Sequence, residues 1–280
     1  KIDAAATPVI NKAATDWHAD YFAEVDAKGW TATVAFSMEL VDPPDAPSAD
    51  VWVARFNDGT PVETATGFGT LKSSHCSFVS KVADYQQVAY KEMADLMSAA
   101  GLTVWLQFGE FVWWFFAGGS PASMAYYDDD TKVAAQTALG RALVVFDDPN
   151  DDPGVNSYED ANFLRGRVKS HIDTIRNHVL ASHSGAKFEL LWPRDVNEDS
   201  EQLNRYVNLP SEYEQKSGSG LDRLKMEALA FGSVERDMDR LLQEGNTQYE
   251  VARILDLPRT SIPRKIERMA ERLKHTKNGT

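Results

Sequence analysis

The stretch running from Val82 through Ala99, Ala100-Gly101 and Thr103-Val-Trp-Leu-Gln-Phe-Gly-Glu110 decides the fold. Its first part spaces Val82, Tyr85, Ala89, Met93 and Leu96 three to four residues apart, which predicts a helix over 82–99 with one buried face. A glycine turn closes that helix, and an apolar strand ending on a carboxylate follows. The same order recurs along the chain. A helix over 11–28, with Ala14, Trp17, Tyr21, Phe22 and Val25 on its inner face, precedes Thr31-Ala-Thr-Val-Ala-Phe-Ser-Met-Glu39. A helix over 162–182, carrying Leu164, Val168, Ile172, Ile175 and Val179, precedes Lys187-Phe-Glu-Leu-Leu-Trp-Pro-Arg-Asp195. The turn Ser217-Gly-Ser-Gly220 then feeds Leu221-Asp-Arg-Leu-Lys-Met-Glu227. Helical crossovers bring each new strand back to the same edge, so these strands are predicted to lie parallel.

Between the first two strands Pro43, Pro44 and Pro47 break regular structure. The stretch 51–81 reads as an excursion, with a hairpin from Val51–Phe56 and Pro61–Thr66 around Asn57-Asp58-Gly59. The runs Asp128-Asp-Asp130 and Asp147-Asp-Pro-Asn-Asp-Asp-Pro153 read as surface loops flanking a short helix over 132–143. Their oxygens suit Ca²⁺, but the spacing lacks the EF-hand pattern, and solvated loops are the preferred reading.

No Gly-rich phosphate loop follows any strand, and Gly67-x-Gly69 is not followed by a helix, which argues against an open dinucleotide-binding sheet. The expected class is therefore α/β, a (β/α)₈ TIM-barrel-like fold. A full barrel takes about 250 residues, yet four strands stand out. The others are expected in the Val51 and Val144 regions, or upstream of Lys1. Residues 1–240 are read as the barrel-like domain and 241–280 as a small helical C-terminal segment.

The net charge of −13 over 280 residues disfavours nucleic acid as a whole-molecule partner. No apolar run spans a bilayer, so no membrane partner is expected, and no secretory signal pattern is visible. Cys76 is the single cysteine, which excludes an intrachain disulfide and a Cys-based zinc site and fits a buried small apolar residue. No metal and no cofactor are expected.

Strand ends are where parallel α/β folds place chemistry. Glycoside hydrolysis needs two carboxyls across the scissile bond, one protonated and one acting as nucleophile or base. Glu110, set between an apolar strand and Phe111-Val-Trp-Trp-Phe-Phe116, is the candidate acid, and Glu227 the candidate nucleophile. Glu39 and Asp195 are further strand-end acids that orient the pair, bind hydroxyls or form structural ion pairs. Asn197 and Asn208 are placed to bind hydroxyls or to cap loops. Indole faces stack on sugar rings, which makes Trp113, Trp114 and Trp192 platform candidates, with Tyr126 at the mouth, against core packing as the alternative.

Glu110 with Trp113-Trp114, Met124-Ala-Tyr-Tyr-Asp128, Phe188-Glu-Leu-Leu-Trp-Pro-Arg-Asp-Val-Asn197, Leu203-Asn-Arg-Tyr-Val-Asn-Leu-Pro210 and Gly218 through Gly232 resemble the glycoside-hydrolase-like TIM-barrel domain of the non-contractile tail-sheath type, found in phage tail and related bacterial proteins. The resemblance runs from about Trp17 to Arg240. It implies a (β/α)₈-type fold and a role that faces carbohydrate or builds a virion, with carbohydrate or virion assembly partners. Retaining glycosidases with paired glutamates are similar more distantly; there an Asn precedes the acid, whereas Gly109 stands here.

From Gly245 the balance reverses, with eight Lys/Arg against four Asp/Glu. Thr247–Ile266 resembles a helix-turn-helix, with Arg259, Thr260 and Arg264 facing DNA, although Pro263 interrupts the second helix. Three functions follow: a carbohydrate-active or carbohydrate-binding barrel, an inert virion scaffold, and a DNA-binding C-terminal segment.

Overall fold

The structure, a computed structural model, describes residues 5–41, 52–63, 73–113, 115–116, 123–146, 148–149, 151–153, 157–193, 202–214 and 220–227. The chain divides into two compact units, Lys1–Met226 and Glu227–Thr280. Apart from Glu227 the described residues belong to the first, and the helix-turn-helix reading lies outside them.

Helix α1 (Lys12–Ala27) starts where Asn11 accepts from the Ala14 N–H, satisfying one of the open donors of its first turn. Strand β1 (Val34–Ser37) follows, then β2 (Glu39–Val41), which pairs antiparallel with β3 (Ser73–His75). Helix α2 (Ser80–Ala99) leads into β4 (Trp105–Gly109). A short antiparallel pair, β5 (Phe115–Phe116) and β6 (Ser123–Met124), precedes α3 (Asp129–Leu139). Helix α4 (Tyr158–Leu180) then feeds β7 (Lys187–Pro193). The short helices α5 (Gln202–Asn208) and α6 (Ser211–Glu214) come before β8 (Arg223–Glu227).

The main sheet has the order β1-β4-β7-β8, with β4 parallel to both β1 and β7. Spatial order thus equals chain order. A doubly wound sheet reverses direction at a switch point, whereas stepwise winding with every crossover on one face is how a barrel wall is built. The crossovers α2 and α4 pack against each other. This is a TIM-barrel-like α/β wall.

Alternation along each strand divides the sheet into two faces. Tyr90 of α2 packs on Phe36 and Phe108, with ring centroids 4.4 and 5.2 Å apart, and Phe108 stacks on Phe188 at 5.8 Å. That face, with Leu106 and Leu190, forms the core under the helices. The opposite face carries Gln107 and Glu189, cross-strand neighbours in register.

Several expectations change. Glu39 opens an antiparallel strand rather than ending the first parallel one: Ser37 Oγ accepts from the Glu39 N–H, the Met38 carbonyl accepts from the Cys76 N–H, and the chain joins the β2–β3 pair. The excursion is antiparallel throughout its described part: Arg55 bridges Pro61, Glu63 bridges Ser74 and Val53 bridges Cys76, so it adds no barrel strand there. Residues 142–146 form no strand either. Trp17 and Tyr21 are 60% and 46% exposed, while Phe22 and Val25 alone of the expected α1 face are buried. Asp128 is a buried helix cap instead of a loop residue, and α3 ends at Leu139, where Gly140 takes the left-handed conformation (φ 72°).

Candidate functional site

The carboxyl end of β4 is the most unusual piece of backbone in the described chain. A Cβ on Gly109 would lie 2.9 Å from the Phe36 carbonyl oxygen, so no larger residue fits while β1 and β4 keep their spacing. The next residue, Glu110, has φ 53° and is the one non-glycine in the left-handed region among the described residues. Such a conformation costs of order 1 kcal/mol and persists where its surroundings enforce it. Its carbonyl accepts from the Val112 N–H at 2.8 Å, which closes a tight turn and drops Phe111, Val112 and Trp113 into the core.

This turn is held from three sides. His75 of β3 bonds through Nε2 to the Val112 carbonyl at 3.0 Å, so that nitrogen carries the proton. Because Glu39 and His75 are register partners, the same hairpin carries Glu39 beside the Glu110 turn. Asn208 of α5 accepts from the Trp113 N–H at 2.5 Å and donates to its carbonyl at 2.9 Å. The Trp113 indole donates to the Leu164 carbonyl at 3.0 Å and packs on Phe78 and Tyr126.

A second buried histidine sits beneath. His171 of α4 meets Gln86 Oε1 at 2.6 Å and faces Phe78 and Phe111 edge-on. Burial pushes both His75 and His171 down to about 3, so both are neutral at physiological pH. Asp128 accepts from Ser77 Oγ and from the Thr131 N–H, yet burial outweighs these bonds and raises its pKa.

The expected site residues therefore fall into groups. Glu110 and Glu39 are half-buried at the same end of the sheet. Glu227 closes β8, and its side chain lies outside the described residues, as do Trp114, Asp195 and Asn197 entirely. Trp113, Tyr126 and Asn208 are fully enclosed, and Trp192 is 4% exposed. These four were read either as ligand contacts or as packing and loop-capping residues, and all four are buried. The Tyr126 hydroxyl and the Trp192 indole N–H are buried with no hydrogen-bond partner.

Sequence reasoning missed a polar layer on the far face of the sheet. Gln107 Nε2 donates to Glu189 Oε1 at 2.5 Å, and Arg223 Nη1 lies 3.5 Å from Glu189 Oε2 while its guanidinium covers Trp105 at 3.9 Å. The signal was present as single polar residues inside apolar strands, Gln107 between Leu106 and Phe108 in β4 and Glu189 between Phe188 and Leu190 in β7. A buried carboxylate with an amide and a guanidinium beside it is an electrostatically satisfied anchor. A cavity of about 230 Å³ lies elsewhere, among the segment before α1, strands β1 and β2, and α2; it is lined by Ile10, Phe36, Ser37, Leu40, Tyr85 and Gln86 and does not include Glu110. Among the described residues no three His, Cys, Asp or Glu side chains converge to hold a metal ion, and no helix is long and apolar enough to cross a membrane.

Compared with curated proteins, the chain matches none. The family model for the TIM barrel of the non-contractile tail sheath protein, by contrast, matches residues 2–252, and the chain belongs to that family.

Proposed function

We propose that this chain is a structural subunit of a non-contractile phage tail, using its barrel as a rigid assembly module. The observation that carries the reading is the family match over residues 2–252. Burial at the rim supports it: the rings of Trp113, Tyr126 and Trp192 are at most 4% exposed. Its partners are other virion proteins. The test is cross-linking mass spectrometry on purified tails that contain the chain. Cross-links to tail neighbours are expected. A chain absent from tails overturns the reading.

A second reading is favoured by one observation, the left-handed Glu110 at a strand end. Strained residues gather where chemistry holds them. In this reading Glu110 donates a proton to a glycosidic oxygen, Glu227 attacks the anomeric carbon and Glu39 supports the pair. Trp114, Asp195 and Asn197 would contact the sugar. Release of reducing ends from a polysaccharide panel, lost in both Glu110→Gln and Glu227→Gln, is its expected result. A parent without turnover or glycan binding removes it.

A further inference from the structure

Helix α1 carries the one face-to-face ring stack between two exposed side chains among the described residues. Trp17 and Tyr21 lie one turn apart with centroids at 5.2 Å and planes within 7°, and they are 60% and 46% exposed. One residue before each ring, on the solvent side, stand Asp16 and Asp20, and Glu24 continues the row at the same four-residue spacing. Lys12 pairs with Asp16 at 2.6 Å and Lys28 with Glu24 at 3.4 Å, but Asp20 at the centre has only acids four residues away on either side. The face thus combines ring surfaces with adjacent carboxylates. Guanidinium groups suit such a face, since they lie flat on a ring while bonding a carboxylate at the edge.

The complementary charge is encoded in the same chain. Residues 245–280 hold eight Lys/Arg, five of them Arg, against four Asp/Glu, while the rest of the chain holds 21 against 38. We propose that the Trp17–Tyr21 face of α1 docks the basic 245–280 segment of a second copy of this chain. The contact joins unlike surfaces, so it repeats from copy to copy and builds a ring or a helical array. It rests on the reading as a tail-assembly subunit and names the surface through which copies meet.

Two full-length variants test it by sedimentation velocity at low and high salt. Trp17→Ser with Tyr21→Ser removes the acceptor face, and Arg259→Glu with Arg264→Glu and Arg268→Glu removes the donor. The parent is expected to self-associate, at least about tenfold more weakly at high salt. Each variant alone is expected to lose at least about tenfold in self-association. Mixed together they are expected to form dimers, because each supplies the surface the other lacks. Thermal melts of both variants check that the fold is kept. The proposal is overturned by a monomeric parent, by variants that assemble as the parent does, or by a mixture that stays monomeric. Tails that contain the chain but assemble unchanged with either variant overturn this contact and leave the sheath reading standing.

Discussion

Lowering the pH from 7.5 to 5 should cost this fold several kcal/mol, chiefly through two histidines. His75 and His171 are enclosed, and burial holds both near 3 against an ordinary value of 6.5. In the unfolded chain both take up a proton as the pH falls below about 6.5. In the folded chain they stay neutral until about pH 3. The unfolded state therefore binds two more protons across that window, and their contribution is complete above about pH 6.5 and lost on acidification. At pH 5 each histidine removes about 2 kcal/mol, so the pair removes about 4 kcal/mol, a large share of an ordinary domain's stability. Asp128 acts in the opposite sense, since its raised pKa lets the folded state take a proton first and softens the loss. Urea unfolding followed by tryptophan fluorescence across this range measures the slope. His171→Gln keeps an amide donor for Gln86 Oε1 and cannot titrate, so it should remove about half of the loss. A stability that is flat or rising from pH 7.5 to 5, or a variant with the parent's full slope, refutes the reasoning.

Gly109→Ala should destabilise by about 1–3 kcal/mol in chemical denaturation, because its Cβ would press on the Phe36 backbone. Gly140→Ala, where open space surrounds the Cβ and only the left-handed backbone resists, should cost about 1 kcal/mol. Tyr126→Phe should leave stability unchanged or raise it by about 1 kcal/mol, since its buried hydroxyl has no partner; a loss above about 2 kcal/mol would show that the hydroxyl is satisfied. Cys76 is fully buried and its thiol is pushed well above its ordinary pKa, so iodoacetamide should modify it only on unfolding. Rapid labelling of the native chain, read by mass spectrometry, would contradict that environment.

Local periodicity made much of the wall legible. The three long helices follow from their apolar spacing, and β4 and β7 from apolar runs after glycine turns. Periodicity identifies a face without fixing its width, which is why Trp17 and Tyr21 were expected inside and lie outside. The Asp128 run looked solvated because its burial depends on Ser77, 51 residues away. Trp113 follows a strand and so looked like a rim residue. Asn208 and the Phe78 ring close over it from remote parts of the chain, which no local pattern announces. Of the proposed acids, Glu110 was found by its place at a strand end, while its left-handed backbone comes from the turn that Val112 closes.

Because the sheet runs β1-β4-β7-β8, each arriving strand is laid against the one synthesised before it. Among the described strands of this sheet, none has to be threaded between two that are already joined. The wall can therefore grow at one advancing margin while the ribosome is still at work, and its first strands can settle before the last residues are made.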